Sequence, residues 1–509
     1  MAPQVLIVGA GPTGLVLAIR LARHGVAVRI IDKNSGPGQA SRAMAVHART
    51  LEFYRQLGFA DVVVNLGIKI EAIHLREGGE DVAELPLKDI GAGLSPYPFV
   101  LAFPQDDHER FLVEQLKAMG VEVEWNTELE SFTQDEWGVR AVLERDGDRI
   151  ACSSAYLCGC DGARSRVRES LKFDFSGGTY EHLYYVADVK TSGPENRDLV
   201  GHIGANTFAL MLPVRSRGMQ RLIGIMPPQA EALPEPGFED VRPVLEPLLG
   251  IKVEQVNWFS TYRVHHRVAS QFRSGRCFLG GDAAHIHSPA GGQGMNTGIG
   301  DAVNLSWKLA QVLQGRADST LLDTYQAERI VFARKLVATT DRAFQMIVSQ
   351  GAGGQLLRGW LVPHVFPVLA GFAAARRTLF KTLSQVQIHY PDSHLSGGRA
   401  GDVIGGDRLP WVPQPNGEDN FSALQTLDWQ LHVYGQPSAL LSAAAREVSL
   451  PLHVYPWSDA AAEAGLLRDA AYLIRPDMHV ALALPRQELD TLRNLVERYH
   501  LRFAPGKTD

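Results

Sequence analysis

The chain opens on a four-residue apolar run, Val5-Leu-Ile-Val8. A run this short and apolar at every position predicts a strand buried on both faces. Leu15 to Arg23 follows as a helix that Gly25 is placed to end, and Val26, Val28, Ile30 and Ile31 predict a second strand closed by Asp32. Two more runs of the same kind occur at Tyr156–Gly159 and Cys277–Gly280. Between them residues 180–275 change character: Tyr184–Val189, Thr207–Leu212, Leu222–Ile225 and the alternating Val256–Val264 predict a strand-rich unit. Its proline-rich, acidic segment 230–247 reads as a loop or insertion. Ala302, Leu305, Leu309 and Val312 then recur at helical spacing. Val331 to Arg377 predicts helical stretches broken at Gly351–Gly354, Pro363 and Pro367. Near the C-terminus, Leu427–Tyr434, Leu452–Tyr455, Ala471–Ile474 and Val480–Leu484 read as strands and Arg486–Tyr499 as a helix, with Arg475-Pro476-Asp477 as a turn.

At 509 residues the chain is too long for one core. The pattern divides it into 1–179 and 271–395 as two parts of an α/β nucleotide-binding domain, 180–270 as an interleaved β-sheet domain, and 396–509 as a C-terminal domain. A formal charge of −6 argues against a nucleic-acid partner held by a basic surface. Cys152, Cys158, Cys160 and Cys277 are spaced for neither a CxxC pair nor a zinc site, so we expect buried thiols and no metal. Val5–Ala22 lacks a basic leader and is interrupted by glycines, and no apolar run reaches the ~20 residues of a membrane span. The expected location is cytoplasmic.

The first predicted turn carries Gly9-Ala-Gly11-Pro-Thr-Gly14. Gly9 allows the tight turn, Gly11 lets the backbone approach a pyrophosphate, and Gly14 lets helix and strand pack closely. The amides at the helix start favour phosphate. Asp32, eighteen residues after Gly14, stands where a carboxylate accepts ribose hydroxyls and repels a 2′-phosphate. This motif alone fits FAD or NAD.

Two later motifs decide for a flavin. Cys160-Asp161-Gly162 follows one strand, with Ser165 placed to cap a short helix and Arg164, Arg166 and Arg168 as a possible phosphate patch or a solvated face. Gly281-Asp282 follows the other, and a buried carboxylate at a strand end suits a ribityl hydroxyl, which NAD lacks. Next come Pro289, Gly291, Gly292, Gly294, Met295 and Asn296 ahead of the helix. So many glycines let amides approach a flat ring, and the helix dipole favours an anionic reduced flavin by roughly 0.3–2 kcal/mol.

At this point the chain resembles the single-component FAD-dependent aromatic hydroxylases (class A flavoprotein monooxygenases). The likeness spans residues 1–345 and rests on GAGPTG, GCDGARSRVR, LGGDAAHIHSPAGGQGMNTGIGDAVNLSWKLA and LLDTYQAER. Within the family it is most similar to the phenol hydroxylase and polyketide hydroxylase branch, whose additional C-terminal domain is thioredoxin-like. Residues 396–509 contain no cysteine, which leaves that domain a structural or subunit-contact role and allows a homodimer. The resemblance implies that Arg42 pairs with the pyrophosphate, that Gln105 reaches the adenosine-ribityl region, that the backbone near Leu129 touches the cofactor, and that Thr13, Lys33, Met295 and Asn296 do so too. It also implies that the 180–270 sheet roofs the flavin. Tyr184, Tyr185, Tyr262, Arg263, His47, His265 and His266 are then pocket candidates.

The implied reaction is hydroxylation of a phenolic or polycyclic substrate by O₂ through a flavin hydroperoxide, with transient NADPH or NADH as reductant. Pro289, Gly291 and Gly292 would make room for the oxygen above the ring. Two positions beyond Arg42, where phenol hydroxylases tend to carry an acid, stands Met44. The residues also leave open Baeyer–Villiger or another oxidation on the same fold, or a flavin-binding module without turnover.

Overall fold

A computed structural model describes residues 3–38, 43–192, 196–203, 207–214, 218–288, 290–348 and 373–503. The three apolar runs become adjacent strands of one six-stranded sheet, in the order Arg273–Ser274, Cys277–Leu279, Tyr156–Gly159, Val5–Val8, Val28–Ile31 and Val123–Glu124. Val5–Val8 pairs in parallel with both Tyr156–Gly159 and Val28–Ile31. All four of its residues are buried, as a strand covered by helices on both faces requires. The first helix is Pro12–Arg23, and Gly25 adopts φ 74° just beyond it. Helix Gln293–Leu313 lies against that helix and carries the predicted apolar stripe. Its remaining faces are buried as well, Asn304, Ser306, Lys308 and Gln311 included.

An eight-stranded sheet lies beside this domain. Its order is His285–Ile286, Val253–Ala269, Phe175–Thr191, Met219–Ile225, Phe208–Val214, Leu199–Ile203, Ala72–Glu77 and Glu80–Pro86. The boundary of this unit therefore differs from 180–270. Ala72–Glu77 joins Leu199–Ile203 in parallel, bringing a hairpin from within 1–179 into the sheet, and Phe175–Thr191 begins before residue 180. The segment 230–247 is not a plain loop. Helix Arg242–Leu249 forms with Pro243 in its first turn, where the missing N–H costs nothing, and covers one sheet face.

That face is made by Tyr185, Ala187, Met211 and Leu222. The opposite face turns Leu212 and Val214, with Leu210 and Ile223, onto the core of the nucleotide-binding domain. Alternation along a strand thus decides which candidates look toward the cofactor.

The C-terminal unit is a second six-stranded sheet, ordered Val403–Ile404, Gly397–Ala400, Val480–Leu484, Ala471–Ile474, Gln430–Tyr434 and Leu452–Tyr455, with helices Ala439–Glu447 and Leu489–Tyr499. The turn between Ala471–Ile474 and Val480–Leu484 falls at Arg475–His479, as read from the sequence. Of the helical reading over 331–377, Asp323–Val348 is one continuous helix, whereas the breaks at 351–354, 363 and 367 lie outside the described residues.

Candidate active site

The three glycine motifs meet at one edge of the six-stranded sheet. A Cβ on Gly9, whose φ is 104°, would collide with the carbonyl of Cys160, and one on Gly14 would run into the carbonyl of Gly9. A Cβ on Gly281 or on Gly298 would strike Thr13. The first motif therefore packs directly on the second and third. Gly11 behaves differently: a Cβ there meets nothing within 4 Å, and the same holds for Gly162 at φ 76°. No protein atom close to Gly11 requires a glycine, whereas a pyrophosphate laid against the backbone would.

The helices starting at Pro12 and at Gln293 have no side-chain cap, so their first amides are left for a ligand. Asp32 accepts the Ala10 N–H at 2.7 Å and the Asn34 N–H at 2.9 Å, which fixes its half-buried carboxylate at the end of its strand. Lys33 beside it is exposed. Gln105 begins helix Gln105–Ala118 and donates to Glu109 at 2.8 Å; Glu109 also accepts the Gly38 N–H at 2.8 Å. Met295 is half-buried against the core at the start of the second helix. The strand holding buried Leu129 starts at Thr127, whose N–H is bonded to the Asp32 carbonyl. These residues fit an FAD: a cradle open at Gly11, uncapped helix starts and a ribose-facing acid.

The expectations of a buried Asp282 and of pocket-facing Tyr185 and Arg263 are corrected. Asp282 is exposed in the short turn Gly281–Ala283 rather than buried at the strand end. The buried acid is Asp301, which accepts the Gly281 N–H at 2.9 Å, the His285 ring N–H at 2.7 Å and Arg329 Nε–H at 2.6 Å. Asp161 holds its own turn, accepting the Ser165 hydroxyl at 2.6 Å and the Val167 N–H at 3.1 Å. Asn296 is buried and fully bonded: its Oδ1 accepts the His47 N–H and the Thr50 hydroxyl, and its Nδ2 donates to the carbonyls of Ala45 and Gly292. Arg263 and Tyr185 point to the helix-covered face. Tyr185 stacks there on Phe259, and half-exposed Arg263 donates to the Glu181 carbonyl at 2.7 Å. Tyr262 stands opposite Tyr184 on the other face of the sheet.

Of the arginine trio, Arg164 and Arg166 are exposed. Arg168 is buried, donating to the carbonyls of Ala163 and Ala283 and thereby joining the second motif to the third. His265 bonds Thr179, and His266 packs on Tyr180. Arg42 and Pro289 lie outside the described residues. Met44 is buried, its carbonyl accepting the Phe103 N–H.

Gly291 (φ 73°) and Gly292 (φ 62°) make the turn into the second helix, and the His47 Nε2–H donates to the Gly291 carbonyl at 2.9 Å. Burial drives the His47 ring down to about 4, so it is neutral at physiological pH and holds the turn rather than carrying a charge. Burial likewise lowers His287 to about 4 and His108 to about 3.

These three rings make the fold acid-sensitive. Each binds its proton near 6.5 when unfolded and only near 3 to 4 when folded, so below pH 6.5 the unfolded chain takes up more protons. Stability is complete above about pH 6.5 and falls steadily toward pH 4. Melting temperatures of the apoprotein at half-unit steps from pH 7.5 to 4.5 should trace that fall. A flat profile would mean that the rings are charged and paired in the folded state.

A Rossmann-type sheet with this cradle, beside a second large sheet, is the architecture of an FAD-binding protein. Comparison with known proteins agrees, and the chain belongs to the FAD binding domain family, whose model matches residues 2–340. It is 39% identical to 6-methylpretetramide 4-monooxygenase of Streptomyces rimosus over 79% of this chain and 72% of that protein. It is 32% identical to rifampicin monooxygenase of Rhodococcus hoagii over 96% and 97% of the two chains. Among solved structures it is similar to CabE, an aromatic hydroxylase from angucycline biosynthesis, with a TM-score of 0.79 and 28% identity over 99% of this chain and 100% of that one. The chain is an FAD-dependent aromatic monooxygenase, and NAD(P)H is the reductant typical of its family. No helix among the described residues is long and apolar enough to cross a membrane.

Proposed function

We propose that the substrate is a neutral phenolic arene of more than one ring, bound between the FAD cradle and the eight-stranded sheet. The supporting observation is the chemistry of the cofactor-facing sheet. Along Tyr184–Asp188, Phe208–Val214, Met219–Ile225 and Trp258–Tyr262, that face carries Leu210, Leu212, Ile223, Ile225, Trp258, Ser260 and Tyr262. Its only charges on this stretch are Asp188 and Arg221, which close on each other in a buried bidentate pair at 2.7 and 2.8 Å. A substrate carboxylate would find no unpaired cation there, whereas a flat apolar ring system would find apolar and aromatic surface. Two relatives are named for oxidation of 6-methylpretetramide and of rifampicin.

Bound FAD, reduced by NAD(P)H, supplies the oxygen-activating chemistry. The chain's part is to hold and to shield. Gly9, Gly11, Thr13 and Gly14 take the pyrophosphate, with Arg42 assigned to the same group; Asp32 takes the ribose, and Asp282 the ribityl chain. His47 fixes the Gly291 carbonyl and so would hold the turn through Gly291 and Gly292 in place beside a bound flavin. The sheet keeps water out of the space between. Met44 offers no carboxylate beside Arg42, so the phenol proton is not taken there. All four cysteines are unpaired, which supports a reducing, cytoplasmic setting. Residues 396–509 we propose as a separate domain without redox chemistry.

The test is NAD(P)H oxidation stimulated by polycyclic phenols against monocyclic hydroxybenzoates, with ¹⁸O₂ and mass analysis of the product. Stimulation by the polycyclic phenols, with one labelled oxygen on the ring, is the expected result. A preference for hydroxybenzoates, or an ester product, would overturn the assignment.

A further inference from the structure

The hairpin turn Arg475–His479 of the C-terminal sheet is buried along its length, its Arg475 wholly so. Connecting turns ordinarily lie on the surface. This one is set into the FAD-binding half. Arg20 and Gln56 donate to the Pro476 carbonyl at 3.3 and 3.1 Å, and Arg49 to that of Asp477 at 2.8 Å. Arg475 forks onto Glu328 at 2.7 and 2.9 Å and onto Asp477 at 3.0 and 2.6 Å. Glu328 in turn accepts from Asn304 and Lys308 on the helix Gln293–Leu313, and Trp307 of that helix donates to Asp477.

The residue after Glu328 is Arg329, and its contacts run the other way. Its guanidinium reaches Asp301 at 2.6 Å, the Thr297 carbonyl at 3.0 Å and the Tyr390 hydroxyl at 2.8 Å. Asp301 holds the Gly281 N–H and the His285 ring, on either side of Asp282. Tyr390 packs on His479 at 4.7 Å, closing the circuit back to the turn. Between the two groups lies a cavity of about 10 Å³, lined by Arg49, Asn304, Arg329, Tyr390, Asp477 and His479, with room for a single water.

An interface serving stability alone would be expected to bury apolar surface, since buried charges are costly and are replaced by apolar groups with little loss. What such a charged network supplies is one fixed geometry. We propose that the C-terminal turn positions the flavin site. Arg475 and Asp477 set the Glu328–Arg329 step, and Arg329 with Asp301 sets Gly281, His285 and so the presentation of Asp282. Arg475 and Asp477 are positioning residues at the far end of the chain from the first glycine motif, yet linked to the third through Glu328, Arg329 and Asp301. The inference rests on Asp282 holding FAD.

The experiment compares Arg475→Lys and the isosteric Asp477→Asn with Leu441→Ala, a cavity in the C-terminal core that removes none of the network's hydrogen bonds. Apoproteins are melted and examined by amide hydrogen exchange over 279–288, and FAD affinity and flavin midpoint potential are then measured. Arg475→Lys and Asp477→Asn should raise exchange over 279–288, weaken FAD about tenfold and shift the potential. Leu441→Ala should lower the melting temperature without any of these changes. Unaltered exchange and FAD affinity in folded Asp477→Asn, or equal changes in Leu441→Ala, would overturn the proposal. Asp282→Asn separates the two readings. If it weakens FAD while the turn variants do not, only the positioning role falls; if it leaves FAD affinity intact, the site assignment falls and this inference with it.

Discussion

Gly9→Ala is expected to destroy FAD binding and destabilise the protein, whereas Gly11→Ala destroys binding alone. At Gly9 the backbone has φ 104° and the new methyl group collides with the Cys160 carbonyl, so the strand pair Val5–Val8 and Tyr156–Gly159 must part for the side chain to fit. Strain at a left-handed position adds to the clash. At Gly11 the methyl group enters open space, and the apoprotein should melt at the wild-type temperature. That open space is where the pyrophosphate is placed, so FAD affinity should drop at least tenfold. Titration of apoprotein with FAD, read by flavin fluorescence, checks both. Normal binding by Gly11→Ala would remove the pyrophosphate from the first motif.

The second large effect is expected at Asp301. Asp301→Ala strips the Arg329 guanidinium of its carboxylate while leaving it about 1% exposed, and unpairing a buried charge in this way costs about 3–5 kcal/mol. The Gly281 N–H and the His285 ring lose their acceptor in the same change. The apoprotein should melt markedly lower and bind FAD poorly. Asp282→Ala, on an exposed side chain in the same turn region, should leave apoprotein melting unchanged and reduce FAD affinity only. Thermal melts of the two apoproteins side by side decide the matter; equal losses of stability would contradict the burial that separates the two acids.

Those paired contrasts show where reading along the chain succeeds. Val5–Val8, Tyr156–Gly159 and Cys277–Leu279 were legible because a strand covered on both sides must be apolar at every position, and the glycines beside them because a turn against phosphate admits no side chain. Four of the six strands of the C-terminal sheet were legible from their apolar content, whereas Gly397–Ala400 and Val403–Ile404, short and glycine-bearing, were not. The hairpin at Ala72–Glu77 and Glu80–Pro86 was not, because its residues are largely half-buried or exposed and lack the apolar signature. The roles of Gly298, Asp301 and Arg329 were also missed. Their one signal was polar residues on a helix otherwise apolar all round, among them Asn304 and Lys308, which only burial turns into a network.

By itself, then, the amino-acid order determined the Rossmann-type unit and the flavin, since each depends on local spacing between glycines, acids and short apolar runs, while the class of reaction came from the resemblance of those motifs to a known family. Tertiary structure alone decided which acid is exposed and which is buried, since Asp282 and Asp301 are chemically identical until packing separates them. It likewise decided that Tyr262 and Arg263 fall on opposite faces of the eight-stranded sheet, and that a turn near residue 475 is linked to a motif near residue 281. Proximity between distant segments is a property of the folded chain, set by how sheets and helices bury their apolar faces together.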